Sequence, residues 1–353
     1  AGSQDQGFQR STIDNGSIRE FDQVISGDYG HLGSGNQGES IWANYPGFTI
    51  LFPNAAISNQ SRMLDFPCTG QLWLAPLLAD PIDPNLAYLG GGGISGGNHI
   101  IKIIDQGSSL TYEELSPTFN GTISAISISP INYNKWYVLT ENGKFYRSTD
   151  SGINWNQSMG FTGPESHYFY GSTIVPSYTD DNIVYIGGSG YSNEPVYVSY
   201  NNGSTFTSIS AGLPNTLVYK LASTDDGSIL FAATEIGPYA YNIYDEEWYD
   251  IGGTGAPDQT YWSVEYIPEL LTARFGTYGR GIWDFTMDEN FNLILGDIND
   301  DLVINIQDII FMINFVLSNW EPNEYQILAG DINSDGVLDI IDIVNIVNII
   351  LGR

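Results

Sequence analysis

Tyr146-Arg-Ser148-Thr-Asp150-Ser-Gly152-Ile-Asn-Trp155 is the stretch on which the reading of this chain turns. A hydroxyl, a carboxylate, a glycine and an indole at Ser-x-Asp-x-Gly-x-x-Trp spacing describe one tight hairpin. The carboxylate accepts backbone N–H groups of the turn, glycine takes the left-handed position, and the aromatic ring covers the hairpin. A degenerate copy stands at Tyr197-Val-Ser199-Tyr-Asn201-Asn-Gly203-Ser-Thr-Phe206, and a weaker one runs from Tyr239 to Trp248. The motif is a structural staple, so Asp150 is not a catalytic candidate.

Working outward, short β-runs bounded by Gly, Asn, Asp and Pro flank these hairpins, among them Lys135–Thr140, Asn182–Ile186, Val196–Ser199 and Ser228–Ala233. A strand entered from a Pro/Asn/Asp turn recurs at Asp83, Asn132, Asp180 and Asp225. The spacing is about 45–50 residues, the period of a four-stranded propeller blade. With these hairpins the region resembles the Asp-box, or BNR-repeat, β-propellers of sialidases, sortilin-type receptors and xyloglucanase-type glycosidases. Gly2–Gly7, Trp73–Asp80 and Phe275–Trp283 share in the resemblance, and the last of these usually ends the final propeller strand. The resemblance implies a mainly β propeller over residues 1–290. Five units are expected at 1–64, 65–118, 119–162, 163–212 and 213–256, with a partial sixth at 257–287. A ring normally needs six or more blades, so either residues 1–64 complete the last blade or further blades lie upstream, the latter being favoured by the mid-blade look of Gly2–Gly7.

The C-terminal sixty residues read differently. Asp297-Ile-Asn299-Asp-Asp301-Leu-Val303-Ile-Asn305-Ile-Gln-Asp308 is repeated 34 positions later as Asp331-Ile-Asn333-Ser-Asp335-Gly336-Val337-Leu-Asp339-Ile-Ile-Asp342. Oxygen side chains fall at loop positions 1, 3, 5, 9 and 12, and Val303 or Val337 would add a backbone carbonyl at position 7. Six to eight oxygens at this spacing select Ca²⁺, so two calcium sites are expected. Position 12 is Asp where such loops commonly carry Glu, and Leu302 holds position 6, where glycine relieves the turn.

Each loop runs into an apolar helix, at 307–317 and 341–351. A tandem loop–helix pair of this kind resembles a type I dockerin, the module that plugs secreted enzymes into cohesin receptors. The resemblance spans Asp297 to Arg353 and places a small helical domain at 291–353. It implies a cohesin-like or other protein partner on the two helices. Cellulosomal dockerins often carry polar recognition residues at loop positions 10 and 11; this chain has Ile306-Gln307 and Ile340-Ile341.

Composition sets the outer limits. Forty-one acidic against eleven basic residues give a net charge of −30, which argues against nucleic acid and anionic membrane surfaces. The abundance of Gly and Tyr beside so few Lys and Arg suits a β-rich extracellular protein. Cys68 is alone, so no intrachain disulfide forms, and no run of eighteen apolar residues offers a transmembrane helix.

Catalytic residues are not assignable. A sialidase site needs three convergent Arg, and only Arg10, Arg19, Arg62, Arg274 and Arg280 lie outside the hairpin and the C-terminus. A two-carboxylate glycosidase would draw on Asp5, Asp22, Asp28, Asp65, Asp80, Glu165 and Asp258, each more simply a turn or cap residue. His31, His99 and His167 form no metal motif, and Gly90–Gly97 lacks the Lys-Ser/Thr of a phosphate loop. Trp42, Tyr45, Tyr168, Tyr170, Tyr191, Tyr261 and Trp262 are candidates to stack on sugars. The expected protein is thus a secreted propeller that binds or scaffolds, tethered through a calcium-dependent module. A glycoside hydrolase and a structural subunit of an extracellular assembly are the alternatives.

Overall fold

In a computed structural model, the described residues are all of 1–353 except 4–6, 12–19, 29, 36–37, 68–69, 93–96, 167–171, 254, 288–293, 302, 334 and 353. Asp5, Arg19, Cys68, His167, Tyr168, Tyr170, Leu302 and Arg353, with part of Gly90–Gly97, therefore lie outside the described residues. The chain divides into two compact units, Ala1–Pro268 with Ala273–Phe285, and Glu269–Thr272 with Thr286–Arg353.

The first unit is a mainly β propeller. Among the described residues it holds seven antiparallel sheets, numbered here in chain order. Sheet one lies within residues 2–25 and sheet two within 32–65; sheets three to seven lie within 77–114, 123–157, 172–208, 218–250 and 261–286. Sheets one and seven have three strands and the others four, always paired in chain order. The leading strands of sheets two to seven are Leu32–Gly35, Leu77–Ala79, Ile123–Ile128, Ser172–Pro176, Val218–Ser223 and Tyr261–Ile267, and they lie side by side in succession. These are the innermost strands of a radial array. The stretch 1–64, expected as one unit, is two sheets. Its first strands span only two to four residues, too short for a period-two pattern to register.

Sheets four, five and six are covered on both faces, so their second strands are buried along their whole length. Trp136–Thr140, Val184–Gly188 and Ile229–Thr234 are buried at every position. Between sheets four and five, Ala125, Tyr137, Leu139 and Phe145 pack against Ile174, Val184 and Ile186. Each large side chain so buried contributes about 1.5–3 kcal/mol.

The hairpin turns follow their sequence pattern closely. The Ser148 hydroxyl donates to Asp150 at 2.7 Å and accepts the Gly152 N–H at 3.0 Å; Asp150 accepts the Asn154 N–H at 2.8 Å. The Trp155 indole N–H closes the turn on the Gly152 carbonyl at 2.9 Å. The second copy repeats the bonds with Ser199, Asn201, Gly203 and Thr205 at 2.8–3.0 Å. Backbone and side-chain bonds from Asn154 hold the Asp150 carboxyl below the usual range, which keeps it an acceptor. In the third stretch Trp248 is buried, but its indole N–H donates to Ile209 of the preceding connection at 2.6 Å.

The second unit has three helices: α1 at Ile306–Val316, α2 at Glu324–Gly330 and α3 at Ile340–Ile350. Asn305 with Asp308 and Asp339 with Asp342 form capping boxes at the starts of α1 and α3. Ile298, Met312, Phe315, Ala329 and Ile346 make the core. Helix α2 was not anticipated, although its Asn323-x-x-Gln326 capping box is legible in the sequence.

Gly203 tests the packing of the second hairpin. Its φ of +75° suits glycine, and an added Cβ would lie 2.3 Å from the buried Phe145 ring. Gly160 has a φ of +70° with nothing within 4 Å of its Cβ position. Gly160→Ala should cost only the left-handed penalty of about 1–2 kcal/mol. Gly203→Ala should lower the propeller melting temperature by clearly more, as a paired thermal unfolding experiment would read.

Candidate functional site

The two acidic loops are built alike. Asp297 accepts the Asp301 N–H at 3.1 Å, and Asp331 accepts those of Asp335 and Gly336 at 3.0 and 2.8 Å. Asn299 and Asn333 each donate an amide hydrogen to Asp301 or Asp335 at 2.8 Å, and these carboxylates accept the Val303 and Val337 N–H groups at 3.0 and 2.9 Å. The closing carboxylates reach back across each loop. Asp308 accepts the Ile298 and Asn305 N–H groups at 2.7 and 2.8 Å, and Asp342 accepts the Asp339 N–H at 3.0 Å. Asp297, Asp308 and Asp342 are fully buried. Yet between Arg280 and Arg353 the sequence contains no Lys, Arg or His. Buried carboxylates require an opposite charge, and here none can come from a neighbouring cationic side chain of the segment.

A second constellation lies where connections enter the innermost strands of the propeller. A relay of hydrogen bonds steps across sheets four to seven. It runs from Glu141 to Thr122, Ser166 to Glu141, Ser189 to Glu165, Gly190 to Thr216, Glu235 to Leu217, the Thr260 hydroxyl to Glu235, and Tyr278 to Thr260. On this frame Tyr219, Trp262 and Tyr278 form a column of near-parallel rings, with both centroid separations 5.6 Å and interplanar angles of 3° and 15°. A register shift between Val218 and Lys220 falls on Tyr219, the kind of bulge that re-aims a side chain. Beside the column the Tyr191 hydroxyl donates to Glu235, a bond that pushes the phenol pKa up. Tyr191 and Tyr278 are each 61% exposed, so these rings are not spent on the core.

Deeper along the axis lie Lys220 and Glu265, both exposed on innermost strands, and His31. His31 and Lys220 are hemmed in by protein yet keep accessible surface, as the wall of a narrow channel requires. Burial, then the charge of Lys220, lowers the His31 pKa to about 4. Burial lowers that of Lys220, opposed by Glu265. The Ala1 amine also feels Glu265, which sets sheet one within electrostatic reach of sheet seven.

The structure sorts the other candidates. Trp42 and Tyr261 are fully buried core residues and are not available to a sugar. Tyr45 stacks on Phe48 at 4.8 Å, at a turn of sheet two. Among the described candidates Tyr191 and Trp262 reach the relay face, where Tyr219, Tyr278 and Glu235 join them. No spacing rule announced those three, because sheets six and seven bring them together only in the fold. Asp80 is occupied by its own turn, accepting the Ile82 and Asp83 N–H groups and the Tyr88 hydroxyl, each at 2.8 Å. Asp22, Asp28, Asp65, Glu165 and Asp258 are distributed over different sheets and connections. His99 pairs with Glu114 at 3.0 Å. Arg10, Arg62, Arg147 and Arg274 bind separate partners, so they form no convergent triad.

Residues 295–351 match the family model of the dockerin type I domain. The C-terminal module is a type I dockerin. Such dockerins are generally calcium-binding, and dockerins in general bind cohesins. Among solved structures, an ancestral GH74 enzyme is 17% identical, with 74% of this chain and 37% of that chain covered at a TM-score of 0.58. For the GH74 enzyme of Niastella koreensis the figures are 20%, 72%, 42% and 0.53. For the WD40 β-propeller domain of Doa1 they are 12%, 82%, 89% and 0.57. These likenesses show the propeller fold, and the chain spans about two fifths of the length of the two GH74 enzymes. A search of curated proteins found no match. No helix among the described residues is long and apolar enough to cross a membrane.

The dockerin loops fit a hard cation by the chemistry of their donors. Among the described residues no three His, Cys, Asp or Glu side chains converge by themselves. A cation shell would therefore also need Asn amide and backbone carbonyl oxygens, which both loops supply at positions 3 and 7 and the first also at Asn305.

His31 carries a pH prediction. Its folded pKa of about 4 lies below the ordinary 6.5, so between those values the unfolded chain binds the extra proton. Propeller stability should fall as pH drops through that window. His31→Gln should flatten this slope in melting curves taken from pH 6.5 downward, leaving the neutral-pH transition nearly unchanged.

Proposed function

We propose that this chain is an extracellular binding or scaffolding propeller tethered to a protein assembly through its dockerin. The observation that carries this reading is the surface of the dockerin helices. Ile306, Ile310, Ile313 and Leu317 line an exposed face along α1, and Ile340, Val344 and Leu351 do so along α3. Apolar side chains in such a row favour a protein partner of the cohesin type, contacted through 307–317 and 341–351. With Ile306 and Ile340 at the loop–helix junctions, the partner should present apolar rather than polar groups there.

In this reading the domains are 1–290 and 291–353, and two Ca²⁺ ions stabilise the tether. One is held by Asp297, Asn299, Asp301, Val303, Asn305 and Asp308, the other by Asp331, Asn333, Asp335, Val337, Asp339 and Asp342. Calcium would neutralise the buried carboxylates and lock each loop to its helix. The ligand of the propeller is a neutral glycan or a protein, met on the face carrying Tyr191, Tyr219, Trp262 and Tyr278. Exposed rings beside a carboxylate suit the C–H faces and hydroxyls of sugars. Glycoside hydrolysis is the second reading, favoured by the fold likeness to GH74 enzymes.

Titration of the full chain against type I cohesin modules tests the tether. Binding should require calcium and disappear with EGTA. Ile306→Asp with Ile340→Asp should weaken it about a hundredfold, as removal of central apolar anchors does. Asp331→Ala with Asp342→Ala should melt the dockerin while the propeller transition persists. A dockerin transition indifferent to both EGTA and these substitutions would refute structural calcium sites.

A further inference from the structure

Because the propeller repeats, each junction between sheets is a control for the others. Asp80–Tyr88, Ser129–Tyr137 and Ser177–Tyr185 are the same turn and strand in sheets three, four and five. The leading side chain accepts a turn N–H in each: Asp80 from Ile82, Ser129 from Asn132, Ser177 from Thr179. Three residues on, the carbonyls of Asp83, Asn132 and Asp180 accept the N–H groups of Leu86, Lys135 and Ile183. The register equates Leu86 with Lys135, Tyr88 with Tyr137, and Tyr133 with Asp181. Ser151 likewise corresponds to Asn202, since their N–H groups bond to the Asn134 and Asn182 carbonyls.

The junction between sheets four and five is clamped shut. Lys135 pairs with Asp181 at 2.8 Å, Asn132 donates to the same carboxylate at 3.0 Å, and the Tyr137 hydroxyl reaches across to Asn202 at 2.6 Å. The equivalent junction between sheets three and four lacks every one of these ties. Leu86 replaces the cation and Tyr133 the carboxylate. The Tyr88 hydroxyl turns to Asp80 of its own sheet, and Ser151 turns to Asn134 of its own sheet at 3.0 Å. A cavity of about 250 Å³ is left, lined among others by Asp80, Ile82, Tyr88, Tyr133, Asn134 and Trp136.

We propose that this inter-sheet crevice binds one neutral pyranose ring, a site separate from the Tyr191–Tyr278 face and independent of the tether. Its volume lies below the ~300 Å³ at which drug-sized sites begin, which suits a single ring. Tyr133, 44% exposed, offers its ring to sugar C–H groups, while Tyr88 and Trp136, buried edge-to-face against each other at 4.6 Å, form the apolar floor. Asp80 is held by three donors and keeps acceptor capacity for a hydroxyl. The Asn134 side-chain oxygen is taken by Ser151, so its NH₂ is the donor left for the ligand. No Lys or Arg lines the cavity, and the Asp80 charge disfavours carboxylated or sulfated sugars.

The test uses the full chain in calcium and saturation-transfer NMR with methyl glucoside, galactoside, mannoside, xyloside and methyl glucuronide. At least one neutral pyranoside should bind saturably, and the glucuronide should not. Asn134→Ala should weaken binding about tenfold, the loss expected for one good hydrogen bond. Leu86→Lys with Tyr133→Asp rebuilds the neighbouring clamp and should abolish binding with the thermal transition retained. Should that pair fail to fold, Asn134→Ala decides. Tyr278→Ala should change nothing at this site. The proposal is overturned by no saturable binding of any neutral pyranoside, by binding indifferent to Asn134→Ala or to a folded clamp variant, or by equal binding of the glucuronide.

Discussion

A sheet with two apolar faces has nowhere to stand except between two others like it. That constraint organises the propeller. Tyr137, Leu139 and Phe145 of sheet four are buried against Ile174, Val184 and Ile186 of sheet five, and comparable clusters bind the other junctions. Once the sheets are stacked radially, the connections that enter the innermost strands share one face and those strands enclose an axis. The relay from Thr122 to Tyr278 follows from that packing. So does the exposure of rings that no core needs.

The dockerin depends on a different force. Its core of Ile298, Met312, Phe315, Ala329 and Ile346 is small, and Asp297, Asp308 and Asp342 are buried beside it in a segment without basic side chains. The carboxylates act twice. They cap helices and satisfy loop N–H groups, and they create the charge that a hard cation answers. The apolar helix faces left outside this core suit it to joining something else.

Legibility in the sequence followed the range of each interaction. The Ser148–Trp155 turn and both acidic loops are local, with every quoted bond spanning ten residues or fewer, and their patterns translated directly into geometry. The inner sheets, with long apolar strands, were located by their period. The division of residues 1–64 was hidden because its first strands are too short to carry a pattern. Trp42 and Tyr261 look like sugar-stacking residues in the sequence because a sequence cannot tell an aromatic in the core from one at a rim.

By itself, then, the sequence determined the blade repeat, the hairpin staples and the tandem acidic loops, all of them consequences of residue types at fixed short spacings. Only the tertiary structure decided which rings stand together, because Tyr219, Trp262 and Tyr278 meet through the neighbouring of whole sheets. It also decided which junction holds a crevice: Lys135 pairs with Asp181 while Leu86 and Tyr133 stand at the equivalent positions, and that difference appears only when sheets face one another.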